Sequence, residues 1–336
     1  MTTQQLEGLP TPVEVSFRTY RGIEDLGGIV DVLTASHVAD EFDYLPTVDQ
    51  LRVDLAHPEG YDPLRHMLVA EVDGRIVAVG HAGHGVRDGN DTYVVDPEVH
   101  PEYRSAGIGR SLLLRLEAIA REIAADRATR GIVPSGTPFL QAWTVDSAAD
   151  TGKLLLAEGY LPVRYFFEML RSPLDDIPDA QLPAGIELRP VRPEDHRRIF
   201  DAEDEAFRDH WGAHEWSDEL FASMFSAPEL DTTLWRVAWD GDEVAGVCSN
   251  WIFPAENERL GVRRGWLEQV SVRRAWRRRG LARALIAESL RAFRDRGMTE
   301  GALGVDAENP TGALGLYEGL GFRVAGRATT YRKPLG

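Results

Sequence analysis

Residues 270–282 read Val270-Ser271-Val272-Arg273-Arg274-Ala275-Trp276-Arg277-Arg278-Arg279-Gly280-Leu281-Ala282. This order predicts the end of a β-branched strand, then a basic loop, and then a helix that starts after Gly280. The first backbone N–H groups of a helix have no partner within the helix, and the helix dipole adds positive potential there. We therefore predict an anion-binding loop. The alternative is a helix start whose basic face is only solvated.

A second copy of this loop lies earlier in the chain, at Arg104-Ser105-Ala106-Gly107-Ile108-Gly109. Two copies at matching places favour a functional loop over a solvated basic face. The dinucleotide fingerprint G-x-G-x-x-G does not fit, because the second copy has no glycine two positions after Gly280. Each copy leads into an amphipathic helical pattern. The apolar positions are Ile108, Leu112, Leu116 and Ile119 in the first helix and Ala282, Leu285, Ile286, Leu290 and Phe293 in the second.

The two loops belong to an internal repeat. Gly159-Tyr160 matches Gly321-Phe322, and Arg171-Ser172-Pro173-Leu174 matches Arg332-Lys333-Pro334-Leu335. The offset is domain-sized, unlike a solenoid repeat of about 20–50 residues. Each half reads as mixed strands and helices, which predicts an α/β (α+β) sheet with helices on its faces. We predict an N-terminal domain over 1–174, a linker rich in proline and acidic residues over 175–184, and a C-terminal domain over 185–336.

The composition of the chain favours some classes of partner and location and disfavours others. The 336 residues carry a net charge of −17, which disfavours binding to nucleic-acid phosphates and weakly favours amine ligands. The single cysteine, Cys248, excludes an intrachain disulfide and favours a cytoplasmic location. The uncharged apolar runs are far shorter than the roughly 18 residues of a membrane span, and the polar N-terminus does not predict a secretory signal. We expect neither a membrane nor a nucleic-acid partner.

The motif Arg277-x-x-Gly280-x-Ala282 after the strand end resembles the acetyl-CoA pyrophosphate motif of the GNAT superfamily of acyl-CoA N-acyltransferases. Arg104-x-x-Gly107-x-Gly109 resembles a second copy. The segment 306–322, in which an Asn precedes a Leu-Tyr helix that ends at Gly-Phe, resembles a later motif of that family. The resemblance implies two tandem GNAT-like domains, each with a mixed, mostly antiparallel twisted sheet flanked by helices.

The resemblance also implies that acetyl-CoA is the acyl donor. Backbone N–H groups of the loop would hold its pyrophosphate, the strand end would pair with its pantetheine arm, and one strand N–H would polarise the thioester carbonyl. Asn309 would face the pantetheine or the phosphates, or it caps the next helix with Pro310 in the first helical position. The implied cofactor residues are Val270, Ser271, Val272, Arg277, Arg278, Arg279, Gly280, Leu281, Ala282, Arg283, Asn309 and Tyr317, and those of the second candidate loop are Val99, Arg104, Ser105, Ala106, Gly107, Ile108, Gly109 and Arg110.

Two residues are candidates for the chemistry. Tyr317 stands where the family places the general acid for the leaving thiolate, and a phenol with a pKa of about 10 can donate that proton. The alternative for Tyr317 is a core aromatic. Glu268 is the candidate base, because alternation along a strand puts Trp266, Glu268 and Val270 on one side. The family's acidic residue often lies at the position of Trp266, and the alternative for Glu268 is a salt bridge to a neighbouring arginine.

The acceptor amine is expected at the early helices of the C-terminal domain and their loop. The loop contains two Trp and two His within seven residues, which indicates either a pocket lining or an aromatic loop packed on the sheet. His210 and His214 have the i, i+4 spacing of a helical zinc site, but Gly212 weakens that helix and no third ligand is evident, so we predict no metal. The candidate substrate residues are His210, Trp211, Trp216 and Trp266.

The first half lacks the candidate catalytic groups. Aligning the two Gly-aromatic pairs puts Leu155 opposite Tyr317, and Val95 stands opposite Glu268. We therefore predict an N-terminal domain that is catalytically degenerate. It either binds acetyl-CoA without using it or serves as a structural partner.

The expected activity is an acetyl-CoA-dependent N-acetyltransferase that moves an acetyl group to a primary amine of a small molecule. The amine would attack directly in a ternary complex, in a protein that is a monomer or a homodimer. A narrower resemblance, carried by Ala206-Phe207-Arg208-Asp209-His210, is to the mycothiol synthases, which are tandem members of the same superfamily. The alternative from another class is a non-catalytic acyl-CoA-binding sensor.

Overall fold

The computed structural model describes residues 2–6, 13–309 and 312–336. The chain divides into two compact units, one formed by Met1–Arg164 with Ala328–Gly336 and the other by Tyr165–Arg327. The first unit contains β1 (Thr2–Leu6), β2 (Val13–Thr19), α1 (Leu26–Ala39), α2 (Val48–Ala56), α3 (Pro63–His66), β3 (Met67–Val72), β4 (Arg75–Arg87), β5 (Asn90–Val99), α4 (Ile108–Thr129), β6 (Phe139–Val145) and α5 (Ala149–Ala157). The rest of the chain contains β7 (Leu161–Arg171), β8 (Glu187–Arg189), α6 (His196–Phe207), α7 (Asp218–Ser226), β9 (Arg236–Asp240), β10 (Glu243–Trp251), α8 (Pro254–Leu260), β11 (Arg264–Val272), α9 (Leu281–Asp295), β12 (Glu300–Asp306), α10 (Ala313–Glu318) and β13 (Arg323–Pro334).

The two units contain sheets of the same design. In the first unit the strands lie in the order β1-β2-β3-β4-β5-β6-β13, and in the second they lie in the order β8-β9-β10-β11-β12-β7. All neighbours are antiparallel except β5 with β6 and β11 with β12, which are parallel. The prediction of two tandem, mixed and mostly antiparallel sheets with helices is confirmed.

The last strand of each sheet comes from the other half of the repeat. Strand β7 ends the first repeat, but its residues Phe166 to Arg171 pair with β12 in the second unit. Strand β13 ends the second repeat, but its residues Ala328 to Pro334 pair with β6 in the first unit. The compact units therefore do not coincide with 1–174 and 185–336, and those boundaries stay a prediction about the repeats.

The two long helices bury the apolar faces that their spacing predicted. In α9, the residues Leu285, Ile286, Leu290 and Phe293 are fully buried, and in α4 Leu112 and Leu116 are fully buried. Each such side chain contributes roughly 2 kcal/mol of hydrophobic stabilisation. Gly265 on β11 permits the close approach of α9, because a Cβ there would lie 2.4 Å from the Phe293 ring. The prediction of an amphipathic helix that starts after Gly280 is confirmed.

Strand β11 contains a β-bulge at Glu268. Ser249 on β10 pairs with Gln269, and the next residue, Asn250, pairs with Leu267, so Glu268 has no partner on β10. The extra residue shifts the alternation of the strand. Trp266 packs with the cluster beside α6, whereas Val270 packs with the cluster beneath α9. The prediction that Trp266, Glu268 and Val270 share one side is therefore wrong.

In the part of the chain that the structure describes, no helix combines the length and the apolar character that a membrane crossing requires.

Candidate active site

The loop between β11 and α9 has a backbone suited to an anion. Arg278 and Gly280 both adopt the left-handed conformation, with φ of 59° and 84°, and they alternate with residues of ordinary conformation. Such alternation turns successive N–H groups toward one concave side. Arg278 has a side chain, so its conformation costs about 1–2 kcal/mol. At Gly280, a Cβ would meet no atom within 4 Å, so the space in front of the helix start is open.

The Arg277 side chain fixes the conformation of this loop through three hydrogen bonds. Its Nε donates to the carbonyl of Val272 at 2.8 Å, its Nη2 donates to the carbonyl of Ala206 at 3.0 Å, and its Nη1 donates to the Asp209 carboxylate at 2.6 Å. Arg274 also donates to Asp209. The guanidiniums of Arg274 and Arg277 hold the pKa of Asp209 well below its usual range. Arg277 therefore ties the loop to the strand end and to the end of α6, and its guanidinium is already engaged.

A cavity of about 570 Å³ lies in front of the loop. It extends from the end of β11 across the start of α9 to α10, and it also reaches the residues that follow α6. The cavity is lined by Ala206, Asp209, His210, Val270, Ser271, Val272, Trp276, Arg277, Arg278, Gly280, Leu281, Ala282, Arg283, Asn309, Gly312, Ala313, Leu316 and Tyr317. Of the predicted cofactor residues in this half, only Arg279 is outside this lining, and its side chain is exposed.

Tyr317 lies on α10 with its ring in the core. It is 7% exposed and packs edge-to-face on Phe322, with the ring centroids 6.0 Å apart. Its hydroxyl makes no hydrogen bond to a described residue, and the residue lines the cavity. Burial raises the pKa of the Tyr317 phenol, with a smaller contribution from Cys248, so the phenol keeps its proton at neutral pH. The two alternatives for Tyr317, a core aromatic and a proton donor, are therefore compatible.

Asn309 lines the cavity just before α10. The helix begins at Ala313, and its N-cap is Gly312 with φ of 75°. The N-cap alternative for Asn309 is therefore wrong, because Gly312 occupies the N-cap position of α10. Pro310, predicted in the first helical position, lies outside the described residues.

Glu268 projects from the β-bulge and is exposed. No ion pair joins it to another residue in the described ranges, which does not support the salt-bridge alternative. Desolvation raises the pKa of its carboxyl even though the side chain reaches solvent. Glu268 does not line the cavity of about 570 Å³. Its role as the base stays a prediction.

The predicted acceptor residues are dispersed. His210 lines the cavity, its ring lies 4.5 Å from that of Phe207, and burial lowers the pKa of its imidazole. Trp216 instead stacks on Phe207 at 5.7 Å, and Trp266 donates through Nε1 to Glu256 at 2.9 Å. Trp211 lies against Phe166, with ring centroids 6.0 Å apart. Of the four residues, the structure brings only His210 to the cavity. Within the described ranges, no three His, Cys, Asp or Glu residues form a group that could hold a metal ion.

The loop of the first unit repeats the same geometry. Ser105 and Gly107 have φ of 62° and 83°, which match Arg278 and Gly280. Arg104 donates through Nε to the carbonyl of Val99 at 3.1 Å and through both Nη atoms to Asp40 at 2.6 and 2.7 Å. A cavity of about 300 Å³ lies beside this loop, lined by Pro97, Glu98, Val99, Arg104, Ser105, Gly107, Gly109, Arg110, Asp150, Thr151 and Leu154.

The bulge changes the comparison between the two halves. Val95 pairs with Ala82 on β4, and Leu267 pairs with Asn250 on β10 at the matching position of the second sheet. Val95 is therefore the counterpart of Leu267, and Glu268 has none. An alignment without a gap could not show the extra residue. Leu155 is buried in α5 and has no acidic proton, in contrast to Tyr317.

Two residues near the site were not identified as site residues from the sequence. Asp209, which holds the two arginines, has no local signal, because its partners lie more than sixty positions away. Glu203 on α6 is fully buried, and its spacing could have revealed it. Together with Ile199, Ala202 and Ala206 it forms an i, i+3, i+4, i+7 set, which places a carboxyl on the apolar face of a helix.

Comparison with known families gives matches in both halves. The sequence profile of the acetyltransferase (GNAT) family matches residues 32–133 and 196–322. The mycothiol acetyltransferase of Salinispora arenicola is 30% identical over 300 residues, covering 88% of this chain and 89% of that protein. The mycothiol acetyltransferase of Geodermatophilus obscurus is 28% identical, with 88% and 90% covered.

Solved structures agree with these matches. A GCN5-related N-acetyltransferase from Sphaerobacter thermophilus is similar with a TM-score of 0.68 and 28% identity, and 96% of each chain is covered. A tandem GNAT protein from the clavulanic acid biosynthesis pathway is similar with a TM-score of 0.66 over 96% of this chain and 99% of that one. Its identity of 18% makes this second likeness one of fold alone.

Proposed function

We propose that this chain, which belongs to the acetyltransferase (GNAT) family, transfers an acetyl group from acetyl-CoA to a primary amine of a small molecule. The proposal rests on the cavity of about 570 Å³, where the end of β11, the loop between β11 and α9 (the Gly280 loop) and Tyr317 meet. A thioester donor with a diphosphate requires an anion site, an edge that aligns its arm, and a proton donor for its leaving group.

In the proposed complex, the backbone N–H groups of residues 278–282 hold the pyrophosphate of acetyl-CoA. Arg278 and Arg283 line the cavity and add positive charge there. The end of β11 pairs with the pantetheine arm, and an N–H of Val270 or Val272 donates to the thioester oxygen. Such a donor stabilises the oxyanion of a tetrahedral intermediate by about 3–4 kcal/mol.

The amine nitrogen attacks the thioester carbonyl carbon directly in a ternary complex, so that a C–N bond forms and the C–S bond breaks. Glu268 takes the amine proton, either directly or through water, and the raised pKa of its carboxyl makes it a stronger base. The leaving thiolate takes a proton from the Tyr317 hydroxyl. Burial raises the pKa of that phenol and keeps it protonated until the thiolate forms.

The first unit is proposed to bind acetyl-CoA without using it. Its loop has the same left-handed positions as the second loop, and a cavity of about 300 Å³ lies beside it. Leu155 has no proton to give to a thiolate. We assign the chemistry to the second unit and the reaction to the cytoplasm.

A second candidate function is the acetylation step of a mycothiol acetyltransferase. The observation that favours it is the 30% identity to the Salinispora arenicola protein of that name over 88% of this chain. Under this candidate, the acceptor is the pseudo-disaccharide amine of the mycothiol synthases.

A turnover assay tests both candidates. The purified chain is incubated with acetyl-CoA and a panel of amines that includes the pseudo-disaccharide amine, and the released CoA thiol is measured. Turnover with the pseudo-disaccharide amine alone supports the second candidate, and turnover with another amine supports the broader proposal. Acetyl-CoA binding without turnover on any amine contradicts both candidates and favours the acyl-CoA sensor.

A further inference from the structure

Glu203 is a buried carboxyl in the second unit that the proposed reaction does not use. It lies on α6 with no exposed surface and faces β10. Its Oε1 accepts a hydrogen bond from the Ser249 hydroxyl at 3.3 Å. Its Oε2 is buried and has no hydrogen-bond partner within the described part of the chain. A charged carboxylate in such a place is costly, so the group favours its protonated form.

The hydrogen bonds around Ser249 favour the same protonation state. The Ser249 hydroxyl lies 3.3 Å from Glu203 Oε1 and also 3.4 Å from Gln269 Oε1. A hydroxyl has one proton, so it cannot donate to both oxygens at once. If Glu203 is protonated, it donates to Ser249, and Ser249 donates to Gln269. Both contacts are then hydrogen bonds, and no charge is buried.

This chain of three residues ends at the β-bulge. Gln269 pairs with Ser249 on β10 and directly follows Glu268, the extra residue of the bulge. The next residue, Val270, lines the cavity of about 570 Å³. A hydrogen-bonded side chain at Gln269 therefore limits the movement of the residues on both sides of it.

We propose that protonated Glu203 is a positioning residue, which holds Gln269 through Ser249 and thereby fixes the bulge that presents Glu268 and Val270 for acetyl transfer. The assignment of Glu268 and Val270 rests on the proposed function. Ionisation of Glu203 reverses the chain, because the Ser249 hydroxyl then turns to the carboxylate and Gln269 keeps its contact only by turning its amide so that Nε2 donates to Ser249. The bulge loosens, and turnover falls.

The burial of Glu203 sets the pH range in which it ionises. Burial raises the pKa of Glu203 to about 8, and the hydrogen bond from Ser249 opposes the rise. Strands β10 and β11 pack against α6. The ionisable groups on them are Cys248, whose thiol pKa burial raises to about 12, the exposed Glu268, and two residues held in ion pairs. Those two are Glu243, paired with Arg273, and Arg264, paired with Glu300.

Three variants of the full chain test the proposal. Glu203→Gln mimics the protonated carboxyl, Ser249→Ala breaks the chain, and Asp201→Asn is the control on the exposed side of α6. Turnover is measured from pH 6 to 10, with acetyl-CoA and the most active amine. Wild type and the control are expected to lose kcat above pH 8 until it levels off about tenfold lower, whereas Glu203→Gln keeps its turnover there. Ser249→Ala lowers kcat about tenfold at pH 7 with the KM for acetyl-CoA within twofold.

Hydrogen exchange supplies a readout that does not depend on activity. After correction for the intrinsic rate, exchange in residues 264–272 is expected to speed up at least fivefold between pH 7 and 9 in wild type and to stay constant in Glu203→Gln. A wild type that turns over no amine contradicts the proposed function, and the exchange result still decides the role of Glu203. Identical exchange in wild type and Glu203→Gln overturns this inference, as do superimposable pH profiles in an active enzyme.

Discussion

Arg277 donates a hydrogen bond to Asp209 at 2.6 Å, across an interval of 68 positions in the chain. This pair connects the loop between β11 and α9 to the end of α6. Arg104 and Asp40 form the same pair in the first unit, at 2.6 Å. In both loops the arginine side chain is engaged with protein, and left-handed residues alternate with residues of ordinary conformation. The arginine therefore holds the loop in shape, and we propose that the backbone N–H groups are its binding surface.

Replacing Arg277 with Met is expected to weaken acetyl-CoA binding about tenfold. The loop loses its ties to Asp209, Val272 and Ala206 and no longer holds its N–H groups in one arrangement. The free energy of unfolding is expected to fall by about 1–3 kcal/mol, because the partly buried carbonyls of Val272 and Ala206 lose their donor. Calorimetric titration with acetyl-CoA measures the affinity. The matched control is Arg294→Met, which removes an exposed ion pair to Asp295, and equal affinities in the two variants would contradict the role of Arg277.

Replacing Gly280 with Ala is expected to reduce acetyl-CoA affinity at least tenfold. The residue has φ of 84°, which costs an alanine about 1 kcal/mol, and the new methyl group points into the open space before the helix start. Gly261→Ala is the matched control, because Gly261 has φ of 68° and equally open surroundings at the end of α8. Both variants are expected to lower the thermal midpoint by a similar amount. If Gly261→Ala weakens acetyl-CoA binding as much as Gly280→Ala, the loss of affinity comes from backbone strain alone and not from the methyl group before the helix start.

Replacing Tyr317 with Phe is expected to lower kcat about 10²-fold, which is within the usual range for loss of a general acid. Acetyl-CoA affinity and stability stay nearly constant, because the hydroxyl has no hydrogen bond to a described residue. An acetyl thioester of a more acidic thiol is the control, since its thiolate leaves without a proton. Its turnover is expected to fall much less. An equal loss for both thioesters would remove Tyr317 from the role of acid.

Glu203→Gln is expected to change how stability depends on pH. The pKa of Glu203 is about 8 in the folded chain against 4.5 for an ordinary Glu, so the folded state binds more protons between these values. The stability of wild type therefore falls as pH rises from about 5 to 8, by at most about 1.4 kcal/mol per pH unit. Thermal unfolding of both proteins from pH 5 to 9 measures this difference. The stability of Glu203→Gln relative to wild type should grow up to pH 8 and then level off. Parallel stability curves for the two proteins would contradict the raised pKa of Glu203.

The sequence predicted the parts of this protein that have local signals. The spacing of Leu285, Leu290 and Phe293 is sufficient to place α9 and its buried face, and Gly280 marks where the helix begins. The exchange of β7 and β13 between the sheets was not predictable, because it depends on pairing between residues far apart in the chain. The bulge at Glu268 was missed for a similar reason, since one extra residue shows only against the partner strand.

We propose above all that the loop containing Gly280 in the second unit binds acetyl-CoA. Calorimetric titration of the folded chain with acetyl-CoA tests it most directly, with Gly280→Ala titrated in parallel. Saturable binding is expected in wild type, with a second-unit site at least tenfold weaker in the variant. A stoichiometry of two would show that the Gly107 loop also binds. No heat of binding in folded wild-type protein, or equal affinities in the two proteins, would contradict acetyl-CoA binding at this loop.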